Sequence, residues 1–291
     1  MESEAVAALR GGRTGFLFTG GSARAAFQIG VAELLHELGI RPAACLGISA
    51  GVWNAAAVAV GNTPRLRAYW RFFVRMPSVD VTNVVRADRS PFLYRKLHER
   101  AFARYVGVGR LRGTPIPVWV AVTRMSDRAQ LVLDAREQED PLALLLASNY
   151  IFPFYTVPPQ IAGARCADGG FANNAPYEHL LENGCDRVVL IAPKGESEGG
   201  IFRNFADFDH VIPEALRDRV VVIRPRHRLP CGFAERDWKI LDRLADIGYA
   251  RAREVLLGES HDEVTDVRGT GFSPLIATAK LLRRVPSIVD R

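Results

Sequence analysis

The chain has 291 residues, of which 48% are hydrophobic and 24% charged, and its formal net charge is +6. This composition excludes a disordered or fibrous protein and supplies enough apolar residues for a large core. The acidic start, with Glu2 and Glu4, is unlike a secretory signal, and no apolar run is long enough to span a bilayer. Four cysteines without a C-x-x-C pair indicate reduced thiols, so we expect a cytoplasmic protein.

The first sixty residues predict alternating strands and helices. A short apolar strand at 15–19 is followed by a helix from Arg24 to a stop at Gly39, since apolar side chains recur on one face of that segment. A second strand at 43–46 leads into a buried helix at 52–60. Units of this kind predict an α/β fold with a parallel sheet covered by helices.

The rest of the chain continues this pattern less regularly. Thr63-Pro64 predicts the start of a helix that reaches about residue 76, because a cap followed by proline is typical of a first helical turn. Further strands are predicted at 116–123, 130–133, 187–192 and 219–223, and further helices at 94–105, 142–147, 234–257 and 274–284.

The segment Gly47-Ile48-Ser49-Ala50-Gly51 lies between the second predicted strand and the helix that follows it. A G-x-S-x-G sequence on such a corner is typical of a nucleophile elbow, in which a strained turn exposes a serine hydroxyl. Glycine at both flanks leaves room for the tight turn. Ser49 is therefore a candidate nucleophile, provided that other parts of the chain supply a base and an oxyanion site.

The loop Thr19-Gly20-Gly21-Ser22-Ala23-Arg24 joins the first predicted strand to its helix. Free backbone N–H groups and the positive end of the helix dipole meet at such a junction, which suits a developing negative charge. Two other interpretations stay open. One is a phosphate or dinucleotide loop, although the sequence matches neither G-x-G-x-x-G nor a Walker A motif, and the other is a plain tight turn.

The base for a serine nucleophile is predicted from two kinds of residue. None of the histidines carries a motif, and all are predicted at the surface: His36, His98, His179, His210, His227 and His261. A single strand and helix precede Ser49, which fits poorly with the α/β-hydrolase order of elements. Asp168-Gly169-Gly170 follows a strand-like segment and predicts a carboxylate in a sharp polar loop, with an ordinary Asp-Gly turn as the alternative.

Three short motifs follow one another along the chain: Gly20-Gly21-Ser22-Ala23-Arg24, Gly47-Ile48-Ser49-Ala50-Gly51 and Asp168-Gly169-Gly170. Their flanks include Ala26-Phe27-Gln28-Ile29-Gly30, Ala147-Ser148, Pro158-Pro159, Asn174-Ala175-Pro176 and Gly248-Tyr249-Ala250-Arg251-Ala252. With these motifs in this order, the chain resembles the patatin-like phospholipase family from about residue 14 to 257, most weakly between 62 and 112. The resemblance implies a three-layer α/β/α fold with a mostly parallel central sheet. It also implies a domain at 14–257, an N-terminal extension at 1–13 and a C-terminal helical extension at 258–291.

The resemblance implies a serine lipid acyl hydrolase that works without histidine, metal or organic cofactor. Ser49 would attack an acyl carbonyl of a phospholipid or another acyl lipid, Asp168 would take its proton, and an acyl-Ser49 intermediate would follow. The oxyanion would be stabilised by backbone N–H groups of Gly20, Gly21, Ser22 and Ala23. The supporting loop residues would be Arg24, Gly47, Gly51, Gly169 and Gly170.

Two residues depart from the family's pattern. Ser22 stands at the family's third glycine, and Ala25 stands at the glycine that follows the arginine. If the backbone at Ser22 is left-handed, serine costs about 1 kcal/mol there. The open alternatives are a catalytically weak or silent lipid-binding protein, an acyltransferase, and a hydrolase with a histidine triad.

The positive charge of the chain bears on its partners. It favours peripheral contact with an anionic membrane surface, whereas arginines spread over the whole sequence need no special partner, and no nucleic acid is expected. The helix at 63–76 mixes aromatic residues with arginines, which would fit a lid that touches lipid. A covering helix with a buried aromatic face and solvated arginines shows the same pattern, and we favour that interpretation.

Overall fold

The computed structural model describes residues 3–80, 92–152, 154–155, 157–201 and 211–259. Within them, the strands are β1 (Thr14–Phe18), β2 (Ala44–Gly47), β3 (Val118–Arg124), β4 (Gln130–Asp134), β5 (Gln160–Ile161), β6 (Ala164–Asp168), β7 (Arg187–Ile191) and β8 (Val220–Ile223). The helices are α1 (Glu4–Gly11), α2 (Phe27–Glu37), α3 (Gly51–Ala59), α4 (Leu66–Arg75), α5 (Tyr94–Tyr105), α6 (Val108–Gly113), α7 (Pro141–Ala147), α8 (Tyr177–Glu182) and α9 (Trp238–Leu257). The predicted helix at 274–284 lies outside the described residues.

The sheet is parallel at its centre and antiparallel at one side. Strands β3, β2, β1, β7 and β8 lie next to one another in this order and run parallel. Strands β4 and β6 both pair antiparallel with β3, and β5 pairs with β6. The connection from β3 to β4 is too short for the crossover that a parallel pair needs. The predicted mostly parallel sheet is confirmed for the five strands from β3 to β8 in this order.

Side chains alternate between the two faces of the sheet, and helices cover both faces. On β1, Phe16 and Phe18 pack into the core that includes α2, α3 and α9, while Leu17 packs on the opposite face with Tyr177 and Leu180 of α8. This alternation follows from the pleat of a strand. The predicted three-layer α/β/α fold is confirmed, with the longer helices on the first face.

Helices α2 and α9 cross at close range through two glycines. A Cβ at Gly30 would stand 1.8 Å from the carbonyl oxygen of Ala245, and one at Gly248 would stand 1.9 Å from the carbonyl oxygen of Phe27. Neither position accepts a side chain, because these distances lie far inside van der Waals contact. The crossing holds α9 against the start of α2, next to the glycine-rich loop.

The N-terminal residues form part of the domain core, which the sequence does not predict. The hydroxyl of Ser3 accepts the N–H of Val6 at 3.2 Å, which caps α1, and donates to the carbonyl of Leu256 in α9. Val6 and Leu9 are buried in the same core as α2 and α9. The extension predicted at 1–13 therefore contains a packed helix, which eight residues are too few to signal by periodicity.

Two further helices differ from what the sequence predicts. Helix α9 begins at Trp238 rather than near 234, because the side chain of Asp237 accepts the N–H of Lys239 at 2.8 Å and caps the helix there. Helix α6 lies in the part of the chain where the sequence is least regular, and it is not predicted.

Candidate active site

The register of the sheet brings Ser49 and Asp168 together, although 118 residues separate them in the sequence. Strand β2 pairs with β3 up to Gly47, which lies opposite Val120, and Ser49 follows two residues later. Strand β6 pairs with β3 up to Asp168, which lies opposite Val122. Strand β4 pairs with one edge of β3. Strands β2 and β6 therefore both lie along the opposite edge of β3, where they run toward each other. The ends of both strands therefore meet at one point.

Ser49 has a left-handed backbone that two neighbouring side chains hold. Its φ is 51°, a conformation that costs roughly 1–2 kcal/mol for a residue with a Cβ. Its N–H donates to the Ser148 hydroxyl at 2.9 Å, and its carbonyl accepts from Asn149 Nδ2 at 3.0 Å. The Ser148 hydroxyl in turn donates to the carbonyl of Ala121 in β3 at 2.7 Å. Both sides of the strained peptide are thus tied to the end of α7.

The glycines predicted to support the elbow are sites of close approach. A Cβ at Gly47 would stand 2.5 Å from Cα of Val52, and a Cβ at Gly51 would stand 2.2 Å from the carbonyl oxygen of Phe18. Neither glycine has a positive φ. The expectation that a Cβ at these flanks would crowd the turn is confirmed.

Asp168 is buried at 3% exposure, and its two carboxylate oxygens differ. Oδ1 accepts the N–H of Gly170 at 2.8 Å, whereas Oδ2 is buried and has no hydrogen-bond partner among the described residues. Burial raises the pKa of Asp168 to about 7, and the nearby Ser49 hydroxyl and the Gly170 N–H, which favour the charged carboxylate, act in the opposite direction. The neighbouring Gly169 approaches β3 so closely that a Cβ there would stand 2.2 Å from the carbonyl oxygen of Ala121.

The glycine-rich loop approaches Ser49 from the end of β1. The N–H of Gly20 donates to Asn174 Oδ1 at 2.7 Å, and Asn174 Nδ2 donates back to the carbonyl of Gly20 at 3.1 Å. The N–H of Ala23 donates to the carbonyl of Phe233 at 3.3 Å. Two of the four N–H groups predicted as oxyanion donors are therefore occupied within the protein.

The other two predicted donors have no partner among the described residues: these are the N–H groups of Gly21 and Ser22. Ser22 has a φ of 53°, so the left-handed backbone considered from the sequence is present. The N–H of Arg24 donates to the carbonyl of Gly21 at 3.1 Å and closes the first turn of a short helix at Ser22–Ala26, so Arg24 supports the loop through its backbone. A Cβ at Gly20 would stand 2.9 Å from Cβ of Ser49, which shows how close the loop lies.

A series of hydrogen bonds between buried polar side chains links the glycine-rich loop to helices α2, α3 and α4. Trp70 Nε1 donates to Asn54 Oδ1 at 2.8 Å, and Asn54 Nδ2 donates to Gln28 Oε1 at 2.9 Å. Gln28 Nε2 completes the chain by donating to the carbonyl of Thr19 at 2.7 Å. Sequence reasoning missed these roles, although Asn54 stands out as a polar residue within a buried apolar helix.

An apolar cleft that is open to solvent adjoins Ser49, Ser22 and Ala23. Its walls come mainly from α3, α4, α5 and two loops, and its aromatic lining includes Trp53, Tyr69, Trp70, Phe73, Tyr94, Phe154, Tyr155 and Phe233. A cleft with this apolar, aromatic lining suits a hydrocarbon chain.

Helix α4 presents its aromatic face to this cleft. Tyr69, Trp70 and Phe73 are buried, whereas Arg71 and Arg75 are exposed. The interpretation as a covering helix with a buried aromatic face is confirmed. The aromatic residues also have a use that the sequence does not reveal, since they form a wall of the cleft.

The prediction that His98 is exposed is wrong. It is 8% exposed and its ring lies between those of Trp53 and Phe73, with centroid distances of 4.2 and 4.4 Å. Burial, followed by the charge of Arg236, lowers the pKa of His98 to about 3, so the imidazole is neutral. Within the described part of the chain, no other histidine lines the cleft. His210 and His261 lie outside the described residues.

The described residues form neither a metal site nor a membrane-spanning helix. Among the described side chains, no group of three or more His, Cys, Asp or Glu is arranged to hold a metal ion. No helix in the described ranges combines the length and the apolar character that crossing a membrane requires. The four cysteines are free thiols.

Comparison with known proteins identifies the family. The model of the patatin-like phospholipase family matches residues 16–181, which include the glycine-rich loop, Ser49 and Asp168. The chain therefore belongs to the patatin-like phospholipase family. It is also similar to mouse patatin-like phospholipase domain-containing protein 2, with 26% identity over 190 residues that cover 59% of this chain and 35% of that protein. The chain thus spans about a third of the length of this curated relative.

The chain also matches two solved structures at low sequence identity. VipD from Legionella pneumophila is 14% identical with a TM-score of 0.49, over 84% of this chain and 67% of that chain. ExoU from Pseudomonas aeruginosa, in complex with SpcU, is 15% identical with a TM-score of 0.41, over 93% of this chain and 60% of that chain.

Proposed function

We propose that this protein is a serine lipid acyl hydrolase, which cleaves carboxylic ester bonds of phospholipids or other acyl lipids. The proposal rests mainly on one observation. Ser49 lies next to the carboxylate of Asp168, one oxygen of which is buried and unpaired. The apolar cleft beside Ser49 and membership of the patatin-like phospholipase family support a lipid ester as substrate. Ser49 would be the nucleophile and Asp168 the base.

The first half-reaction forms an acyl enzyme. Ser49 Oγ attacks the acyl carbonyl carbon while its proton passes to Asp168 Oδ2, and the carbonyl π electrons move onto the oxygen. The N–H groups of Gly21 and Ser22 then stabilise this oxyanion, since they lie at the start of a helix and have no partner among the described residues. When the tetrahedral intermediate collapses, the bond to the alcohol breaks and Asp168 returns the proton to it.

The second half-reaction releases the acid. Asp168, ionised again, accepts a proton from water as the water oxygen attacks the acyl-Ser49 carbonyl, and the same N–H pair holds the oxyanion. Collapse breaks the bond to Ser49 Oγ, which recovers its proton from Asp168. An ordinary aspartate is a weak base for an alcohol, because its pKa lies far below that of a hydroxyl. The raised pKa of Asp168 makes the difference between the two pKa values smaller.

The side chains around the pair act as positioning groups. Ser148 and Asn149 hold the peptide of Ser49, and Asn174 holds Gly20 against it. The proposal includes peripheral contact with an anionic membrane surface, for which the exposed Arg71 and Arg75 supply positive charge on the helix that forms a wall of the cleft.

We expect kcat/KM to rise with pH and to reach half of its plateau near pH 7. Asp168 accepts the proton of Ser49 only when ionised, and burial raises its pKa to about 7. The measurement is hydrolysis of a soluble p-nitrophenyl ester, followed at the isosbestic wavelength of p-nitrophenol between about pH 5 and pH 9. A profile that stays level across this interval would contradict Asp168 as the base.

Covalent labelling tests the nucleophile directly. We expect a fluorophosphonate probe to modify Ser49, because Oγ forms a bond to phosphorus as the P–F bond breaks, with the proton passing to Asp168 and fluoride leaving. Tryptic mass spectrometry locates the adduct. Ser22→Ala is the matched control, because Ser22 lines the same cleft and also has a positive φ. Labelling that survives in Ser49→Ala but disappears in Ser22→Ala would refute the assignment, and a folded, unlabelled protein would favour the silent alternative.

A further inference from the structure

Ser22 is one of four described residues other than glycine that have a positive φ. Arg128 and Ala162 are exposed and lie in connections between antiparallel strands, where the twist of a hairpin favours this conformation. The remaining two, Ser22 and Ser49, both line the cleft. Backbone strain of this kind concentrates at functional sites. Because glycine adopts a positive φ without strain, the presence of a side chain at Ser22 is the feature that calls for a function.

The side chain of Ser22 is available to a bound substrate. It is partly exposed on the cleft, whereas Ser49 is 8% exposed and Ala23 is 9% exposed. Its hydroxyl forms no hydrogen bond with a described residue, and its backbone N–H is likewise unpaired among them. A serine hydroxyl donates one hydrogen bond. Ser22 therefore offers two free donors on the cleft wall, an N–H and an O–H.

The loop that carries Ser22 lies against the proposed nucleophile. Gly20 approaches Ser49 so closely that a Cβ at Gly20 would stand 2.9 Å from Cβ of Ser49. Ser22 follows two residues later, and two residues of chain span at most about 7 Å. An ester carbonyl that Ser49 attacks would thus lie beside this loop.

The hydroxyl of Ser22 is suited to donate a hydrogen bond rather than to attack. A serine nucleophile requires an adjacent base, and the carboxylate of Asp168 lies next to the hydroxyl of Ser49. Ser22 therefore keeps its proton. Its O–H would bind a neutral carbonyl oxygen weakly and an oxyanion strongly, because hydrogen bonds to a charged acceptor are about twice as strong. A donor that strengthens in this way lowers the barrier of the chemical step.

We propose that the Ser22 side chain is a third oxyanion donor, which acts together with the N–H groups of Gly21 and Ser22. This inference rests on the proposed function and adds a catalytic residue to it. As Ser49 Oγ bonds to the acyl carbon, its proton passes to Asp168 and the carbonyl π electrons move onto the oxygen, which accepts from the Ser22 O–H. No proton leaves Ser22, and its hydrogen bond weakens again when the intermediate collapses. The serine at the family's third glycine thus favours catalysis at the expense of stability.

Ser22→Gly separates the two effects, because it removes the hydroxyl and relieves the strain. We expect kcat for a soluble p-nitrophenyl ester to fall about 10- to 100-fold with KM nearly unchanged, as for the loss of a donor that acts in the transition state. The melting temperature should rise by about 1–3 °C. Ser22→Ala removes the hydroxyl and keeps the strain, so kcat should fall equally without this gain. Fluorophosphonate labelling of Ser49 should become slower in both variants, but should still occur.

Ala162→Gly is the matched control for strain. Ala162 also has a positive φ, with a value of 50°, and it lies in the turn between β5 and β6, at the end of β6 away from Asp168. This variant should gain a similar melting temperature while kcat stays at the wild-type value. A simultaneous fall of kcat in Ala162→Gly would show that relief of strain, rather than loss of the hydroxyl, lowers activity, and the inference would be wrong.

An alkyl trifluoromethyl ketone gives a readout that a purely structural role would not change. Ser49 Oγ adds to its carbonyl carbon, the proton passes to Asp168, and the carbonyl oxygen becomes an oxyanion without a leaving group. The inhibition constant should rise in both Ser22 variants by about the factor by which kcat falls. Wild-type kcat in Ser22→Gly, or an unchanged inhibition constant, would overturn the role of the hydroxyl alone. A wild-type protein that neither hydrolyses the ester nor binds the ketone would refute the proposed function itself.

Discussion

Ser49→Ala and Asp168→Asn are each expected to lower the turnover of p-nitrophenyl esters by about 10,000-fold or more. The first removes the atom that attacks, and the second replaces a base by an amide that cannot take a proton. Members of a catalytic unit typically show losses of this order when one is removed. The measurement is kcat for purified variants, with far-UV circular dichroism and thermal unfolding as checks on the fold.

The same two variants should also differ in how their folding stability depends on pH. Asp168 has a higher pKa in the folded protein than in the unfolded chain, so the folded state binds more protons between about pH 4 and pH 7 and loses stability as pH rises through that window. Asp168→Asn keeps an oxygen for the N–H of Gly170 and removes the buried charge. It should therefore be more stable than the wild type at pH 8, while Ser49→Ala should not show this pH-dependent gain.

His98 provides the control for the mechanism. A hydrolase with a histidine triad would lose as much activity in His98→Gln as in Ser49→Ala, since no other described histidine lines the cleft. We expect a much smaller loss, because His98 is neutral, stacked between two rings and a part of the wall. If both variants lost the same activity, His98 rather than Asp168 would be the base.

Gly248→Leu is expected to lower the free energy of unfolding by about 3 kcal/mol or more, which corresponds to a fall in melting temperature of about 6–12 °C. At this position a Cβ would stand 1.9 Å from the carbonyl oxygen of Phe27, and backbone cannot move aside as a flexible side chain can. The helices would have to separate, and the start of α2 would move with them. Urea or thermal unfolding monitored by circular dichroism measures the effect.

A glycine without close neighbours tests whether the effect comes from the crossing. Gly109 lies in α6 and a Cβ there would meet nothing within 4 Å. Gly109→Ala should leave the stability unchanged or raise it by about 0.5–1 kcal/mol, because alanine favours helix over glycine. If Gly248→Leu proved as mild as Gly109→Ala, the close crossing of α2 and α9 would be refuted.

The elbow and the alternating pattern around it could be predicted because local rules determine them. Strand β2, helix α3 and the glycines Gly47 and Gly51 each satisfy a short-range constraint, namely burial, helical periodicity or lack of room for a Cβ. The resemblance that the three motifs carry also implied the pairing of Ser49 with Asp168. Whether these two residues carry the catalysis stays a prediction.

The partners of the site residues could not be predicted, because they come from distant parts of the chain. Ser148 lies 99 residues from Ser49, and Asn174 lies 154 residues from Gly20, so no local pattern connects them. The sequence around His98 is rich in charged residues and predicts exposure, whereas tertiary packing places its ring between two aromatic rings. Long-range contacts override local composition in each case.

The shared edge of β3 makes the proposed activity depend on completion of the sheet. A growing chain that has reached residue 150 already contains the elbow and the glycine-rich loop, but it lacks β6 and therefore Asp168. The Ser49–Asp168 pair forms when β6 docks on the edge of β3 at which β2 ends. The proposed Ser49–Asp168 pair therefore forms only after β6 has docked, because the nucleophile is synthesised long before its base.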